Sequence, residues 1–566
     1  MAKIEDLGEV ISTDVLIVGG GISGLVAAVK AKEESSKVEV LLVDKQTIGW
    51  SGKAPKGGGF TLVLTEGEDA DDFVEYHVRN IGYYLNDQEL LYSWVTQMYA
   101  AVEQLSAWGV RVPKNADGKL NTMKCPLFDP RFKYKWSIAG IDLDVLFPLR
   151  ARARKTGVKT LNKIQVVELL KQDDRIVGTV GFNLIDGRFY IIKAKATILA
   201  NGSCNYKAKR MWHSGCGDGI GAAYRAGAEI RNAEFGNFFD VHRKDNDGPA
   251  FDYTALYNAL GENISLRYIP VPRSDIPSEL VLGMEKEVKE GRGPIYFDPS
   301  AVPDLFKPLS DWPRPNFHNF FGRTISKELK YGAPPSARVE VSVALNAELS
   351  PIRVDHEMKT SLAGLWAIGD TSQMGSAIVG AVYSPPAMIR GIGLGLATRS
   401  GMWGGSSAAR FASQASAPKV SEGEVKRLKE VIFAPMGRTK GFSAEETIYG
   451  IQDVMCRVQY NLRRSKERLE EGLSKIEKVQ QRLPELWAKD GHGLGKCHEA
   501  RNIAVCGEMT LRAALTRTES RGTHFREDYP NRDDKNWLKW TIIREKSGKM
   551  VVSTEPVPIE KYKFKP

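Results

Sequence analysis

The feature that most constrains this chain is a glycine turn held between two predicted strands. Asp14-Val-Leu-Ile-Val18 is a short apolar run with the look of a buried parallel strand. It leads directly into Gly19-Gly20-Gly21-Ile22-Ser23-Gly24, and Leu25-Val26-Ala27-Ala28 then starts a helix. A second apolar run, Val38 to Val43, ends at Asp44. Strand, turn, helix and strand make a βαβ unit. Gly19, Gly21 and Gly24 supply its G-x-G-x-x-G pattern, and each has a separate task. The first permits the tight turn, the second lets backbone approach a pyrophosphate, and the third lets helix pack on strand. The helix start offers free N–H groups and partial positive charge to phosphates. An acid about 20 residues on, here Asp44, suits a ribose hydroxyl. The unit therefore predicts a dinucleotide site.

At 566 residues the chain is too long for one core, and two to four domains are expected. The predicted fold class is α/β: a Rossmann-like dinucleotide domain interrupted by a capping domain, then a C-terminal helical domain. The boundaries are 1–235 and 336–405 for the two parts of the first domain. The proline- and aromatic-rich capping stretch is 236–335, and the helical domain and tail are 406–566. Residues 88–108 read as helix, Thr197–Ala200 as a buried strand, and Asp218–Ala228 as a helix of small residues. Ser406–Ser416 reads as a Ser/Ala-rich linker. Leu469, Leu473, Ile476 and Leu483 share one helical face, stopped by Pro484.

The opening MAKIEDLGEV has two acids in six residues and no apolar stretch, so no secretory signal is expected. No run is long and apolar enough to predict a membrane span. The six cysteines show no CxxC spacing and no iron–sulfur pattern, which suits a reducing cytoplasm and a chain without its own cluster. The net charge of +10 is spread along the chain without a recognition motif. Nucleic acid is not the expected partner; a basic face for an acidic protein or an anionic substrate is.

A second glycine motif, Gly364-Leu-Trp-Ala-Ile-Gly-Asp370, decides between dinucleotides. Its Gly369-Asp370 pair is placed for the ribityl and pyrophosphate part of FAD. The chain here resembles the flavoprotein subunits of the succinate dehydrogenase and fumarate reductase superfamily. That superfamily includes adenylylsulfate reductase alpha and L-aspartate oxidase. The resemblance rests on Val18–Gly24, Ser51–Gly59, Gly217–Gly221 with Arg225-Ala-Gly227, Gly293-Pro294-Ile295-Tyr296 and Gly364–Asp370. It continues through Thr518–Gly522, Arg526–Pro530 and Arg532–Asp534. The middle of the chain, from Ala226 to Pro249, is more similar to adenylylsulfate reductase.

This implies FAD along Gly19, Gly21, Ile22, Ser23, Gly24, Asp44 and Lys45, with Ser51, Gly52, Gly57, Gly58 and Gly59 from the second loop. Val166, Ala200, Asn201, Gly202 and Asp218 follow, then Gly369, Asp370 and Ser384. The helix from Pro385 is expected to aim its N–H groups at the flavin ring. Electrons are expected to pass to or from a ferredoxin-like iron–sulfur partner chain, and any membrane association would come only through partners. A self-contained enzyme like L-aspartate oxidase, or a non-catalytic electron-transfer subunit, is the alternative.

The departures from the family are informative. Succinate dehydrogenases carry a flavin-linking His after the Ser of the second loop. Gly52 stands there, so FAD is expected to be non-covalent. Asn237-Phe238-Phe239-Asp240 occupies the segment where the family has a His and adenylylsulfate reductase an Arg. Ala344-Leu-Asn346 lacks a second family His, and Glu279 or Leu280 replaces a proton-delivering Arg. Neither fumarate nor adenylylsulfate is therefore expected as substrate. His242, Arg243, Arg273 and His318 are the candidates to supply the missing donors, each also readable as an ordinary structural residue. Arg353, Arg390, Arg521 and Arg526 read as structural, and Cys216 as a small buried hydrophobe.

Overall fold

The computed structural model describes residues 3–56, 59–124, 136–208, 215–236, 239–244, 255–268, 278–301, 338–345, 349–375, 380–381 and 392–566. Strand β1 (Glu9–Val18) joins helix α1 (Ile22–Glu34) and strand β2 (Val40–Asp44). Helix α2 (Gln88–Ala107) precedes four strands: β3 (Lys159–Asn162), β4 (Ile164–Gln172), β5 (Arg175–Asn183) and β6 (Phe189–Leu199). Then come α3 (Asp218–Arg225) and β7 (Ile230–Arg231). A smaller sheet uses β8 (Phe239–Arg243), β9 (Leu256–Tyr257), β10 (Ile295–Phe297) and β11 (Val339–Leu345). Strand β12 (Leu365–Ala367) and helix α4 (Ile392–Gln414) return to the main layer. Helices α5 (Lys466–Arg482) and α6 (Gly491–Thr516) lead to a final hairpin, β13 (Lys539–Lys546) and β14 (Lys549–Pro556).

The main sheet runs β3-β2-β1-β6-β5-β4, with β12 added beside β6. Its centre is parallel: β1 pairs with β2 and β6, and Val18 lies beside Val43 and Leu199. Strands buried on both faces must be apolar throughout, and Val15, Leu16 and Ile17 are fully buried. The first two turns of helix α1 are buried on all sides for a related reason. One face lies on the sheet and α4 packs on the other, so Leu25 to Val29 are all fully buried. Gly405 makes that crossing close: a Cβ there would fall 2.4 Å from the Ala27 carbonyl oxygen.

Three differences from the sequence reading have physical causes. The expected linker at Ser406–Ser416 is helical to Gln414. Its small residues serve close packing, with Ala408, Ala409 and Ala412 buried and Ser407 Oγ accepting from Trp366 Nε1 at 3.1 Å. Strand β11 lies beyond residue 335 yet hydrogen-bonds to β8 and β10, which extends the smaller sheet to Leu345. The C-terminal region also carries the β13–β14 hairpin, which pairs with β7. Its signal was present: Ser547 and Gly548 both adopt positive φ (51° and 80°), as a two-residue hairpin turn requires.

His77, in the helix Ala70–Asn80, is fully buried against Phe73, with ring centroids 4.8 Å apart. Among the described residues neither ring nitrogen has a hydrogen-bond partner. Burial pushes its pKa down to about 3, and burial likewise lowers His498 to about 4. A histidine neutral in the fold but protonated when unfolded gives full stability above pH 6.5, lost progressively as pH falls toward the folded value. His77→Phe should therefore gain stability over wild type by about 2 kcal/mol more at pH 5 than at pH 8. Denaturant melts at the two pH values measure this, and an equal difference at both would contradict the buried neutral ring.

Candidate functional site

The site begins where β1 stops. Gly19 turns the chain with φ of 117°, and Gly24 brings α1 against that turn: a Cβ on Gly24 would lie 1.9 Å from the Gly19 carbonyl oxygen. Asp44, at the end of β2, gathers the surrounding loops. Its Oδ2 accepts from the Gly20 N–H at 2.5 Å and from Ser51 Oγ at 2.9 Å, and its Oδ1 accepts from the Gln46 N–H at 2.5 Å. The second loop is thereby drawn onto the first. Gly21 and Gly52 face each other, and among the described residues a Cβ built on Gly21 would meet nothing nearer than the Gly52 Cα at 4.0 Å. No packing contact with those residues forbids a side chain at 21.

The second glycine motif joins the same place. Lys53 pairs with Asp370 at 3.0 Å, and a Cβ on Gly369 would fall 2.7 Å from Ser23 Oγ. The Gly369 N–H donates to Ser400 Oγ on α4 at 2.8 Å. Beyond β6, Ala200 donates its N–H to the Val18 carbonyl, and the Gly202 N–H donates to Thr371 Oγ1, each at 2.8 Å. Asn201 Oδ1 is buried with no partner among the described residues. Val166 is buried on β4 at an irregularity in its pairing with β5. Gly19, Ile22, Ser23, Gly24, Asp44, Ser51, Gly52, Gly59, Ala200, Asn201, Gly202, Gly369 and Asp370 thus come from five stretches of chain. Gly57, Gly58, Ser384 and the helix start after Pro385 lie outside the described residues.

Lys45 and Asp218 belong to a charge network that sequence reading missed. Lys45 Nζ lies 2.6 Å from Asp218 and 2.9 Å from Glu499, and Glu499 also pairs with Lys207 at 2.5 Å. Asn502 Nδ2 donates to the other Asp218 oxygen at 3.0 Å. Burial opposes a charged ammonium at Lys45, but Asp218 and its neighbours prevail and hold the pKa well above its usual value. Burial would likewise raise the Glu499 carboxyl; Lys45 and Lys207 overcome it and hold the group low. Cys216, beside this network, is raised well above its ordinary value by burial, so it stays a thiol. The partners on α6 are about 450 residues from Lys45 in sequence, which is why no local motif announced them.

Strand β8, in the stretch expected to form the cap, holds His242 and Arg243, both buried. Their neighbours across the pairing are Ser342 and Val341 on β11. Successive strand residues point to opposite faces, so His242 and Arg243 do not share a side. Phe239 lies opposite Leu345, and both are buried, as are Ala344 and Leu280. Arg273, His318, Arg390, Asn237 and Phe238 lie outside the described residues. Arg353 bridges Glu229 and Glu555 at 2.9 and 2.7 Å. Arg521 pairs with Glu519 at 2.7 Å and Arg526 with Asp528 at 2.6 Å, both arginines buried.

Comparison with known proteins decides the family. The FAD binding domain family matches residues 14–239, and the fumarate reductase flavoprotein C-terminal family matches residues 450–566. The chain belongs to the succinate dehydrogenase and fumarate reductase flavoprotein superfamily. It is an FAD-dependent oxidoreductase. Among the relatives of this flavoprotein is a subunit of the CoM/CoB fumarate reductase of Methanothermobacter marburgensis. The two are 24% identical over 95% of this chain and 98% of the relative. The succinate dehydrogenase flavoprotein subunit of Rickettsia bellii is also 24% identical, over 96% and 95%. The fold is shared with an adenosine-5-phosphosulfate reductase in complex with sulfite, at TM-score 0.80 and 21% identity, covering 100% of this chain and 99% of that one. A quinol-fumarate reductase gives 0.81 at 18% identity over 98% and 99%.

The observed gap fits FAD. Glycine at 24 is demanded by the protein itself, whereas glycine at 21 leaves, among the described residues, space that a bound pyrophosphate could use. Gly24→Val should therefore fail to fold, because its side chain must displace backbone. Gly21→Val should fold with near wild-type helicity yet purify without flavin. Circular dichroism and the absorbance of the purified protein near 450 nm separate the two. Wild-type flavin content in Gly21→Val would remove this turn from the site.

Proposed function

We propose that this flavoprotein is the catalytic member of a complex that moves two electrons between a small substrate and an iron–sulfur partner chain. The observation that carries the reading is the convergence of Gly21, Gly52 and the Lys53–Asp370 pair on one cradle. FAD supplies the two-electron chemistry when bound. The chain's own residues would bind and orient it: the α1 N-terminus would offer its N–H groups to the phosphates, and the glycines would leave room for them. Asp44 keeps both loops in place. Its carboxylate already accepts three internal hydrogen bonds, so its first task is to shape the cradle, with a ribose contact additional to that.

The partner reading rests on the names of the relatives. The relatives at 24% identity are named as subunits. No helix of the described residues is long and apolar enough to cross a membrane.

The substrate reading rests on β8. Oxyanion substrates need cations aimed at the charge, each charge-assisted hydrogen bond contributing about 1.5–3 kcal/mol. Phe239 instead makes a buried apolar pair with Leu345, and Leu280 is fully buried in the helix Ser278–Lys289. We infer a substrate that is neither fumarate nor adenylylsulfate.

Two measurements test this. Acid precipitation should leave the flavin in the supernatant, since Gly52 offers no nucleophile; flavin retained on the denatured chain would refute the non-covalent assignment. Reduced-dye oxidation by FAD-loaded protein, with any co-purifying iron–sulfur chain present, should show neither fumarate nor adenylylsulfate turnover. Rates on the ordinary enzymatic scale of about 1–1,000 per second with either compound would overturn the substrate reading.

A further inference from the structure

Away from the flavin cradle, α1, α2 and α4 line an open pocket of about 530 Å³, to which His356 and Glu357 also contribute. None of its lining residues belongs to the cradle. Ala100, Ala101, Met402 and Trp403 give it an apolar wall, and Lys30, Arg399 and Arg410 give it three cations, of which Lys30 pairs with Glu33 at 3.4 Å and Arg410 with Glu34 at 3.3 Å. The one acid in the lining, Glu357, is taken up by Arg410 at 2.9 Å and by Lys359.

Arg399 is the unusual member. It is only 9% exposed, and its guanidinium lies over the Trp403 ring, 4.7 Å from the centroid. Its Nη2 donates to Gln97 Oε1, its Nη1 lies 3.4 Å from the weak acceptor Met402 Sδ, and its Nε is buried without a partner among the described residues. Among those residues no carboxylate pairs with it either, and burial holds its pKa down to about 10. Arg517 and Arg521, also buried, are neutralised at contact, the first by Glu234 and Glu519 and the second by Glu519, whereas Arg231 and Arg464, like Arg399, form no ion pair among the described residues; Arg399 differs from these two in lining the pocket. A buried cation lacking a counter-ion is costly to the fold, and an anion entering the pocket would relieve that cost.

We propose that this pocket binds the oxyanion of a small phosphate- or carboxylate-bearing molecule, with Arg399 as the anchoring cation and Lys30 and Arg410 at the rim. The guanidinium offers a planar fork suited to either group, and Trp403 and Met402 accept an apolar remainder. The pocket is separate from the redox site, so the proposal stands apart from the substrate reading.

The test is calorimetric titration of FAD-loaded protein with inorganic phosphate, phenyl phosphate and benzoate at constant ionic strength. Binding is expected for at least one, weakened at least about tenfold by Arg399→Gln with flavin content unchanged. Tighter binding of the phosphates assigns a phosphate ligand, and tighter binding of benzoate a carboxylate. Should Arg399→Gln not fold, the double change Lys30→Gln with Arg410→Gln must weaken binding severalfold. Absence of binding by all three probes, or equal affinity in wild type and variants, would overturn the proposal.

Discussion

The cradle depends on the carboxylate of Asp44. One side chain at the end of β2 accepts from the first glycine turn, from its own loop and from the start of the second glycine loop. Backbone N–H groups in such a turn must be satisfied when buried, and an ionised acceptor is about twice as strong as a neutral one. The pairing fixes the separation of Gly21 and Gly52, and with it the width of the gap. A residue that looks like a ligand contact in sequence is first a structural clamp.

Charge does comparable work between distant parts of the chain. The Lys45–Asp218–Glu499–Lys207 network ties β2 and α3 to α6. Glu168 on β4 receives Arg225 from α3 at 2.9 Å and Arg501 from α6 at 2.8 Å. Arg517, Glu234, Glu519 and Arg521 form a fully buried cluster, and Thr541 of β13 donates to Glu234 at 2.6 Å. Such clusters are weak evidence for stability as a whole, yet removing one member leaves an uncompensated charge at about 3–5 kcal/mol. They therefore make the relative placement of α6, the hairpin and the FAD-binding layer specific, where apolar packing alone would tolerate sliding.

The FAD-binding layer and the smaller sheet are built on different principles. The cofactor side is glycine, backbone and fixed charge, which suits a ligand that is always the same. The sheet of β8 and β11 is small and antiparallel, and buries Phe239, Val241 and Leu345 together with His242 and Arg243. Changes at a few positions of such a sheet alter what it admits while leaving the cradle intact, as expected when function resides in sites carried on a shared fold.

The sequence alone determined the βαβ unit, the glycine turn with its terminal acid, the FAD cofactor and the family. These are local: strand burial, helix starts and glycine turns each write their requirement within a few residues. It missed the β13–β14 hairpin, whose turn was visible but lay in a stretch dominated by helical spacing. It also read Ser406–Ser416 as a linker, because small residues that serve close helix packing have the composition of flexible chain. The tertiary structure alone decided that Asp44 is a clamp, that Lys45 and Asp218 face Glu499, and that Arg399 is buried beside a pocket with no carboxylate among the described residues to pair with it. Each of those depends on side chains brought together from far apart in the chain, and burial and charge pairing are properties of that assembly that no sequence window contains.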